Sequence, residues 1–281
     1  MKKNNNYSEH FLSLKDYFLT QESFELYKDP SSGVLKTIPQ PELLEVYYES
    51  EDYLSHDDSQ SSLFAKCYQF AKKWNLRSKK RLIAGYAQKG KILDIGAGVG
   101  DVVGVLKNDG WDAIGYEPSE KARSVATKKG VELLDNTDSI SSDSIKVISM
   151  YHVLEHVRDF GDQINQIKNW LTKDGILILA LPNYNSYDAK YFKQHWAGFD
   201  VPRHLYHFNK ESIGIIFQDD FELIETKPMW FDSFYVSILS ARYQKRKFPF
   251  LFGVWIGFLS NCVALFSKEP SSLVYVLKKG L

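Results

Sequence analysis

The feature that most constrains this chain is a glycine-rich segment directly after a short apolar run. Residues 93–101 have the sequence LDIGAGVGD, and a stretch with helical periodicity follows them. Glycines between a strand and a helix N-terminus let a ligand approach the backbone closely. The segment therefore predicts a strand, a ligand-binding loop and a helix, in that order.

The spacing of these glycines distinguishes two classes of ligand. Counted from Gly96, the dinucleotide fingerprint G-x-G-x-x-G would end at position 101, where this chain has Asp101. A carboxylate there would repel a pyrophosphate, but it would tolerate a ligand with a positive amino group and a sulfonium centre. Glu117 ends the next apolar run, where a carboxylate can accept hydrogen bonds from both hydroxyls of a ribose. This order of elements favours a ligand site over a bare structural turn.

Short apolar runs alternate with helical segments after residue 90. The runs are KILDIG (91–96), DAIGYE (112–117), KVISMY (146–151) and GILILALP (175–182). This alternation predicts an α/β fold with a parallel sheet and right-handed crossovers. The 281 residues carry 35 basic and 35 acidic side chains and are 44% hydrophobic, which argues against a disordered tail or a whole-surface polyanion binder.

Charge divides the first third of the chain. Residues 1–60 hold twelve acidic residues and five lysines, and they contain short strand-like runs separated by a DPSSG turn. Residues 61–91 hold nine basic residues and no acidic one, interleaved with apolar side chains. This pattern favours a helix with a solvated basic face over a nucleic-acid site. We predict an N-terminal β-hairpin module in 1–60, a basic helical connector in 61–90, a main domain in 91–281 and no nucleic-acid partner.

Residues 248–266 are uncharged and follow four basic residues. Length and basic flank meet the minimum for a membrane span, whereas Pro249, Ser260, Asn261 and a strand-like run at 271–279 favour a buried or dimer-forming helix pair. Peripheral membrane contact through 242–266 and a homodimer therefore remain open. The N-terminus has no apolar signal region and the chain has only two cysteines, so we expect a cytoplasmic location.

Several motifs occur in one order along the main domain. They are LDIGAGVGD (93–101), IGYEPSEKA (114–122), MYHVLEHV (150–157), GILILALPN (175–183) and WAGFDVPRHLYHF (196–208). This set resembles the class I S-adenosylmethionine-dependent methyltransferases, and in particular the branch that includes the ubiquinone-biosynthesis O-methyltransferases. The resemblance implies a Rossmann-like sheet of seven strands, mostly parallel, with an antiparallel last strand at 271–279. It also implies a helical insertion at 231–268 and transfer of a methyl group to a small-molecule, lipid-intermediate or glycan-intermediate acceptor, with a hydroxyl oxygen as the expected target.

The same resemblance implies S-adenosylmethionine as cofactor and S-adenosylhomocysteine as product. The residues it assigns to the cofactor are Asp94, Gly96, Ala97, Gly98 and Gly100 for the methionyl part, Glu117 and Pro118 for the ribose, Asp135 and Asn136 for the adenine, and Tyr151 and His152 for closure.

Histidines concentrate where the sheet order places the carboxyl ends of the strands. His156 and His204 are our candidates for the group that takes a proton from an acceptor hydroxyl, with His207 nearby and Arg203 as a clamp for an anionic group. The H-x-x-E-H pattern at 152–156 matches an inverted zinc-protease motif, but it follows an apolar strand here. Some relatives hold a divalent ion with an acid-acid-histidine trio whose first acid is His152 in this chain, so we name no metal ligand, and whether a divalent ion binds near Glu155 and His156 stays open.

Two other functions compete with methyl transfer. One is a methyltransferase-fold binding or regulatory protein without turnover, and the other is a dinucleotide-dependent oxidoreductase. Asp101 and the glycine spacing disfavour the oxidoreductase.

Overall fold

A computed structural model describes residues 6–48 and 63–280, and the side chains of Glu45 and 63–72 are not described. The strands are β1 (Glu9–Lys15), β2 (Ser23–Lys28), β3 (Leu35–Ile38), β4 (Lys91–Ile95), β5 (Asp112–Tyr116), β6 (Ile145–Tyr151), β7 (Leu171–Pro182), β8 (Tyr206–His207), β9 (Phe221–Pro228) and β10 (Ser272–Lys279). The helices are α1 (Leu63–Tyr86), α2 (Asp101–Asn108), α3 (Glu120–Lys128), α4 (Phe160–Trp170), α5 (Tyr187–Phe192), α6 (Lys210–Phe217), α7 (Asp232–Tyr243) and α8 (Pro249–Ser267).

The larger sheet has six strands in the order β5-β4-β6-β7-β10-β9. Strands β5, β4, β6 and β7 are parallel, whereas β10 runs antiparallel to both β7 and β9. The predicted α/β class and the antiparallel last strand are therefore confirmed. The predicted seventh strand is reduced to a single parallel bridge between Tyr116 and Leu134, so the sheet has six full strands.

The central strands are covered on both faces. In β6, Ile145, Val147, Ile148 and Met150 are all fully buried, although successive side chains point to opposite faces. Strands buried on both sides appear in a sequence as continuous apolar runs. Residues 146–151 form such a run, and this is why the sequence predicts a strand there. Packing on both faces fixes the ends of the strands, and the loops that follow them form one edge of the sheet.

The N-terminal residues form a second, antiparallel sheet in the order β1-β2-β3-β8. Its fourth strand comes from the main domain, because Leu35 pairs with His207 and Lys36 pairs with Tyr206. The expected β-rich N-terminal module is present. The junction at 49–62, on which the predicted boundary at residue 60 depends, lies outside the described residues.

The expected helical insertion consists of α7 and α8, which pack as an antiparallel pair. A Cβ atom on Gly253 would lie 2.4 Å from Cα of Ile238, and one on Gly257 would lie 2.8 Å from Cα of Phe234. The two backbones can approach this closely only because glycine has no side chain. Within the described residues, α8 is the one helix whose length and composition would allow a membrane span, and 28% of its apolar window is buried.

Candidate functional site

The glycine loop lies between β4 and α2. Gly96 has a φ of +69°, and a Cβ atom there would lie 2.4 Å from Cγ2 of Val153. Its backbone N–H and that of Ala97 donate to the carbonyl of Tyr116 at 2.9 and 3.0 Å. Gly98 has a φ of +54°, and a Cβ atom there would meet nothing within 4 Å. The loop is therefore held firmly at Gly96 and has free space above Gly98.

Glu117 follows β5 and closes the loop from the other side. Its carboxylate accepts hydrogen bonds from the N–H groups of Gly98 and Ser119, both at 2.9 Å. Ser119 in turn caps α3 by accepting from the N–H of Ala122. A carboxylate can accept about four hydrogen bonds, so roughly two positions on Glu117 are left for ligand hydroxyls. The carbonyl of Pro118 accepts from Arg123 at 2.7 Å, which fixes the turn beside Glu117.

Asp94 is buried near the end of β4, beneath this loop. Burial raises the pKa of its carboxyl to about 6, although Oγ of Ser149 donates to it at 2.6 Å. The charge of Lys79 in α1 also opposes this rise in the pKa of Asp94, and Nζ of Lys79 lies 3.7 Å from the ring centre of Tyr151. Burial lowers the pKa of Lys79, and the charges of Asp94, Asp232 and Asp101 oppose that change.

Lys79 was missed by the sequence reasoning, which treated the basic run as a solvated face. The correction has a simple cause, because Lys79 precedes the fully buried Ile83 by one helical turn and so shares its inward face. Helical periodicity counted back from Ile83 would have placed Lys79 on the buried face of α1.

Tyr151 ends β6, and His152 follows it at the same edge of the sheet. The hydroxyl of Tyr151 is buried and has no hydrogen-bond partner in the described part of the chain. His152 adopts a left-handed conformation, with a φ of 57°. Its Nδ1 lies 3.5 Å from Oε1 of Glu155, and its Nε2 lies 3.4 Å from Oδ2 of Asp232, the first residue of α7. The insertion is thus tied to the loop after β6.

These two carboxylates control the charge of His152. Burial alone would lower the pKa of the imidazole, but Asp232 and Glu155 more than offset it and raise the pKa to about 10. The pKa of His152 is higher in the folded state than in the unfolded state. The interaction of protonated His152 with Asp232 and Glu155 therefore stabilises the fold fully below the ordinary value of 6.5, and this stabilisation is lost as the pH rises through about 10.

We expect Asp232→Asn to lower the pKa of His152, because one of its two anionic partners becomes neutral. An NMR titration of the imidazole would measure the shift. Asp162→Asn, at an exposed acid in the first turn of α4, is the control. An unchanged titration of His152 in Asp232→Asn would contradict the assignment of this pair.

A second cluster lies behind His152. Ligand atoms of Glu155, His156 and His204 are all within 4.8 Å of one another, so these three side chains could hold a metal ion. Nδ1 of His156 is 2.9 Å from the carbonyl of Arg203, and Nδ1 of His204 is 3.0 Å from that of Gly198, so each ring can donate from Nδ1. Each Nε2 can then accept a proton. Burial is the main cause that lowers the pKa of His204 well below 6.5, so this ring is neutral at neutral pH.

Two predicted catalytic residues are engaged elsewhere. The side chain of Arg203 is 1% exposed, and Nη2 lies 2.9 Å from Asp16 and 2.6 Å from Asp200. These carboxylates neutralise the guanidinium, which corrects the expectation that Arg203 binds an anionic substrate group. His207 is buried in β8, where its Nε2 lies 3.0 Å from Oγ1 of Thr37. Its ring centre lies 6.2 Å from that of His204, so His207 borders the histidine cluster, and its catalytic role stays a prediction.

Asp135 and Asn136 follow Leu134, which bridges to Tyr116. The amide of Asn136 donates to Asp135 at 2.7 Å, and Asn136 is exposed. Both residues therefore lie beyond the bridge, on the Glu117 side of the loop, while His156 and His204 lie on the His152 side. The structure thus brings together the residues predicted for the cofactor, from Asp94 to His152, along one edge of the sheet.

The residues at this edge fit a nucleoside cofactor. The space above Gly98 is open, Glu117 has acceptor positions to spare, and the buried hydroxyl of Tyr151 has no partner among the described residues. These observations agree with a loop that admits a ligand close to its backbone.

Two glycine variants test this fit. Gly98→Ala should weaken binding of S-adenosylhomocysteine at least about tenfold, because its methyl group enters the ligand's space, and its positive φ should cost about 1–2 kcal/mol of stability. Gly96→Ala should destabilise the fold by more, because it has the same backbone strain and its methyl group would also collide with Val153. Calorimetric titration and thermal unfolding would measure the two effects, and equal behaviour of both variants would contradict this division of roles.

The sheet order, the glycine loop and the acid after β5 define a Rossmann-like methyltransferase fold of class I. A sequence model described as a methyltransferase domain matches residues 68–225, which is more than half of the chain. The chain belongs to this methyltransferase family, and the resemblance found in the sequence is confirmed. No curated protein matches it.

Solved structures agree in fold at low identity. Phosphoethanolamine N-methyltransferase 2 of Haemonchus contortus, in complex with phosphomonomethylethanolamine and S-adenosylhomocysteine, has a TM-score of 0.52 and 15% identity, over 73% of this chain and 53% of that one. The chain thus matches about half the length of that enzyme. A methyltransferase from Archaeoglobus fulgidus has a TM-score of 0.51 and 16% identity, over 77% and 98% of the two chains.

Proposed function

We propose that this protein transfers the methyl group of S-adenosylmethionine to a hydroxyl oxygen of a small-molecule or lipid- or glycan-intermediate acceptor. The observation that carries the proposal is the glycine loop, which Glu117 bridges at Gly98 while free space remains above it. Membership in the methyltransferase family and structural neighbours that bind S-adenosylmethionine or S-adenosylhomocysteine support the choice of cofactor.

The residues of this chain chiefly bind, orient and exclude water. S-adenosylmethionine supplies an electrophilic methyl group on a positive sulfur centre. Asp94, Glu117 and the loop N–H groups would hold the two ends of this molecule, and Tyr151 and His152 would close over it. In-line methyl transfer needs alignment and a dry site rather than a covalent nucleophile. The many buried side chains around Tyr151 provide such a site.

A hydroxyl acceptor also needs a group that takes its proton. As the oxygen attacks the methyl carbon, the carbon–sulfur bond breaks and the sulfur keeps the electron pair. The acceptor proton passes to a neutral imidazole, for which we propose Nε2 of His156 or His204. Burial would raise the pKa of the nearby Glu155, but His152 holds it below its usual range, and the resulting anion stabilises the imidazolium that forms.

Calorimetry with S-adenosylhomocysteine and with NAD tests the proposed cofactor. We expect binding of S-adenosylhomocysteine and no response to NAD. Transfer of labelled methyl groups into cell extracts, followed by identification of the product, would then show the acceptor. Binding of NAD without binding of S-adenosylhomocysteine would instead support the oxidoreductase.

A binding or regulatory protein without turnover is the second candidate, and the observation that favours it is the depth at which His204 is buried. Under that alternative, S-adenosylhomocysteine would bind but no extract would accept a methyl group. His204→Gln should slow transfer and leave cofactor affinity unchanged if the proposal above is right.

A further inference from the structure

Helix α8 has an inverted arrangement of side chains. The side that packs on the rest of the molecule carries mainly small residues, namely Gly253, Ile256, Gly257, Ser260 and Ala264. The opposite side carries large apolar residues that are 50–88% exposed, namely Phe250, Leu251, Trp255, Phe258, Leu265 and Phe266. Small residues inward and large apolar residues outward are typical of helices that face lipid.

The two polar side chains in the middle of α8 that form hydrogen bonds are turned towards the protein. Oγ of Ser260 donates to Asp188 at 2.7 Å, and the amide of Asn261 donates to the carbonyl of Trp230 at 2.8 Å. These bonds hold the helix along one side of the molecule. A helix held in this way lies flat against the protein, which favours contact with a surface over a membrane span.

Basic residues are concentrated in the segment that holds the exposed face. Between 233 and 268 the chain has five basic residues and no acidic one. Arg242 in the last turn of α7 and Lys245, Arg246 and Lys247 in the loop before α8 are exposed, and Lys268, which Glu269 follows, lies at the other end of α8. An apolar face with a cluster of four cations at one end complements an anionic lipid surface.

The face also lies close to the cofactor site. The contacts of Gly253 with Ile238, Gly257 with Phe234 and Asn261 with Trp230 place the C-terminal half of α8 beside the start of α7. Asp232 at that start pairs with His152. The exposed Phe231 there meets Trp74 of α1, with ring centres 5.1 Å apart. The apolar face thus extends from the basic loop towards the proposed cofactor site.

We infer that α8 and the preceding basic loop bind in the interface of an anionic membrane, so that the protein methylates an acceptor carried by a lipid. The second part rests on the proposed function. Burial of the aromatic and leucine side chains drives binding, and the four basic side chains before α8 add attraction to anionic headgroups.

Vesicle flotation tests the inference with a matched pair of leucines. Leu251 and Leu43 are 67% and 68% exposed, so Leu251→Glu and Leu43→Glu make the same change in equally exposed places. On vesicles of phosphatidylglycerol and phosphatidylcholine in equal parts, we expect Leu251→Glu to weaken binding at least about tenfold and Leu43→Glu to have no effect. Trp255→Ser provides a second variant, with thermal unfolding to confirm that each is folded.

Charge reversal supplies an independent readout. Lys245→Glu with Lys247→Glu should weaken binding to the same vesicles about tenfold or more, whereas Lys107→Glu on α2 should not. Equal flotation of all variants, or no flotation of the wild type, would overturn the inference. So would a lipid-free dimer that Leu251→Glu dissociates, because the face would then join two copies of this chain.

The acceptor class has its own readout. Labelled methyl transfer into a membrane lipid extract presented as vesicles should fall in Leu251→Glu and not in Leu43→Glu, while both variants bind S-adenosylhomocysteine like the wild type. Transfer only into the soluble fraction would overturn the lipid acceptor. Failure of the wild type to bind S-adenosylhomocysteine would overturn the proposed function, and flotation would still decide the membrane contact.

Discussion

Replacement of Glu117 by alanine is expected to weaken binding of S-adenosylhomocysteine by about 100-fold or more. The carboxylate has roughly two acceptor positions beyond the bonds from Gly98 and Ser119, and a ribose offers two hydroxyls. Each hydrogen bond to a charged group contributes about 1.5–3 kcal/mol, so the loss of two corresponds to at least about 100-fold in affinity.

Calorimetric titration would measure this loss. Glu132→Ala removes the same charge from an exposed position on the far side of the bridge at Leu134, and its affinity should equal that of the wild type. Glu117→Gln should fall between the two, because an amide keeps one acceptor oxygen. An unchanged affinity in Glu117→Ala would place the ribose elsewhere.

Replacement of Arg203 by methionine is expected to lower the free energy of unfolding by about 3–5 kcal/mol, because it leaves the buried carboxylate of Asp16 without its cation. Asp16 is fully buried and Arg203 is 1% exposed. The guanidinium also donates to the carbonyl of Tyr47 at 3.2 Å, so it joins the N-terminal sheet to the loop before β8. Methionine keeps much of the apolar stem and removes the charge.

Urea unfolding would measure the difference, with Lys278→Met as control. Lys278 pairs with Asp174 at 2.8 Å on the surface, where ion pairs contribute little. Burial raises the pKa of Asp16, but the bond and charge from Arg203, together with the N–H groups of Thr20 and Leu19, more than offset it, so the net pKa is below 3.8. The stabilisation is therefore present above that value and is lost as the pH falls through the lower folded pKa. If the difference in free energy of unfolding between the wild type and Arg203→Met did not become smaller in acid, this account would be contradicted.

The parts of the fold that the sequence predicted depend on local patterns. Residues 146–151 form a continuous apolar run because both faces of β6 are covered, and the glycine loop depends on spacing within nine residues. Glu117 was found because it follows the next strand directly. In each case the physical constraint acts on neighbours in the chain.

The parts that could not be predicted depend on pairs far apart in sequence. Arg203 meets Asp16 across 187 positions, and His152 meets Asp232, the first residue of α7, across 80 positions. The periodicity of a short segment cannot indicate partners that lie so far away in the sequence. Arg203 thus had the chemistry of an anion clamp, and its actual partners became evident only when β8 brought its loop to the N-terminal sheet.

The pairing of β8 with β3 has a practical consequence for how this protein can be cut into fragments. A fragment that starts at residue 91 would lose β3 and Asp16, and it would leave Tyr206, His207 and Arg203 without their partners. Such a fragment would expose a strand edge and a buried charge, and we expect it to aggregate even though it contains the whole glycine loop. Expression trials should therefore keep the first forty residues together with the larger, six-stranded sheet.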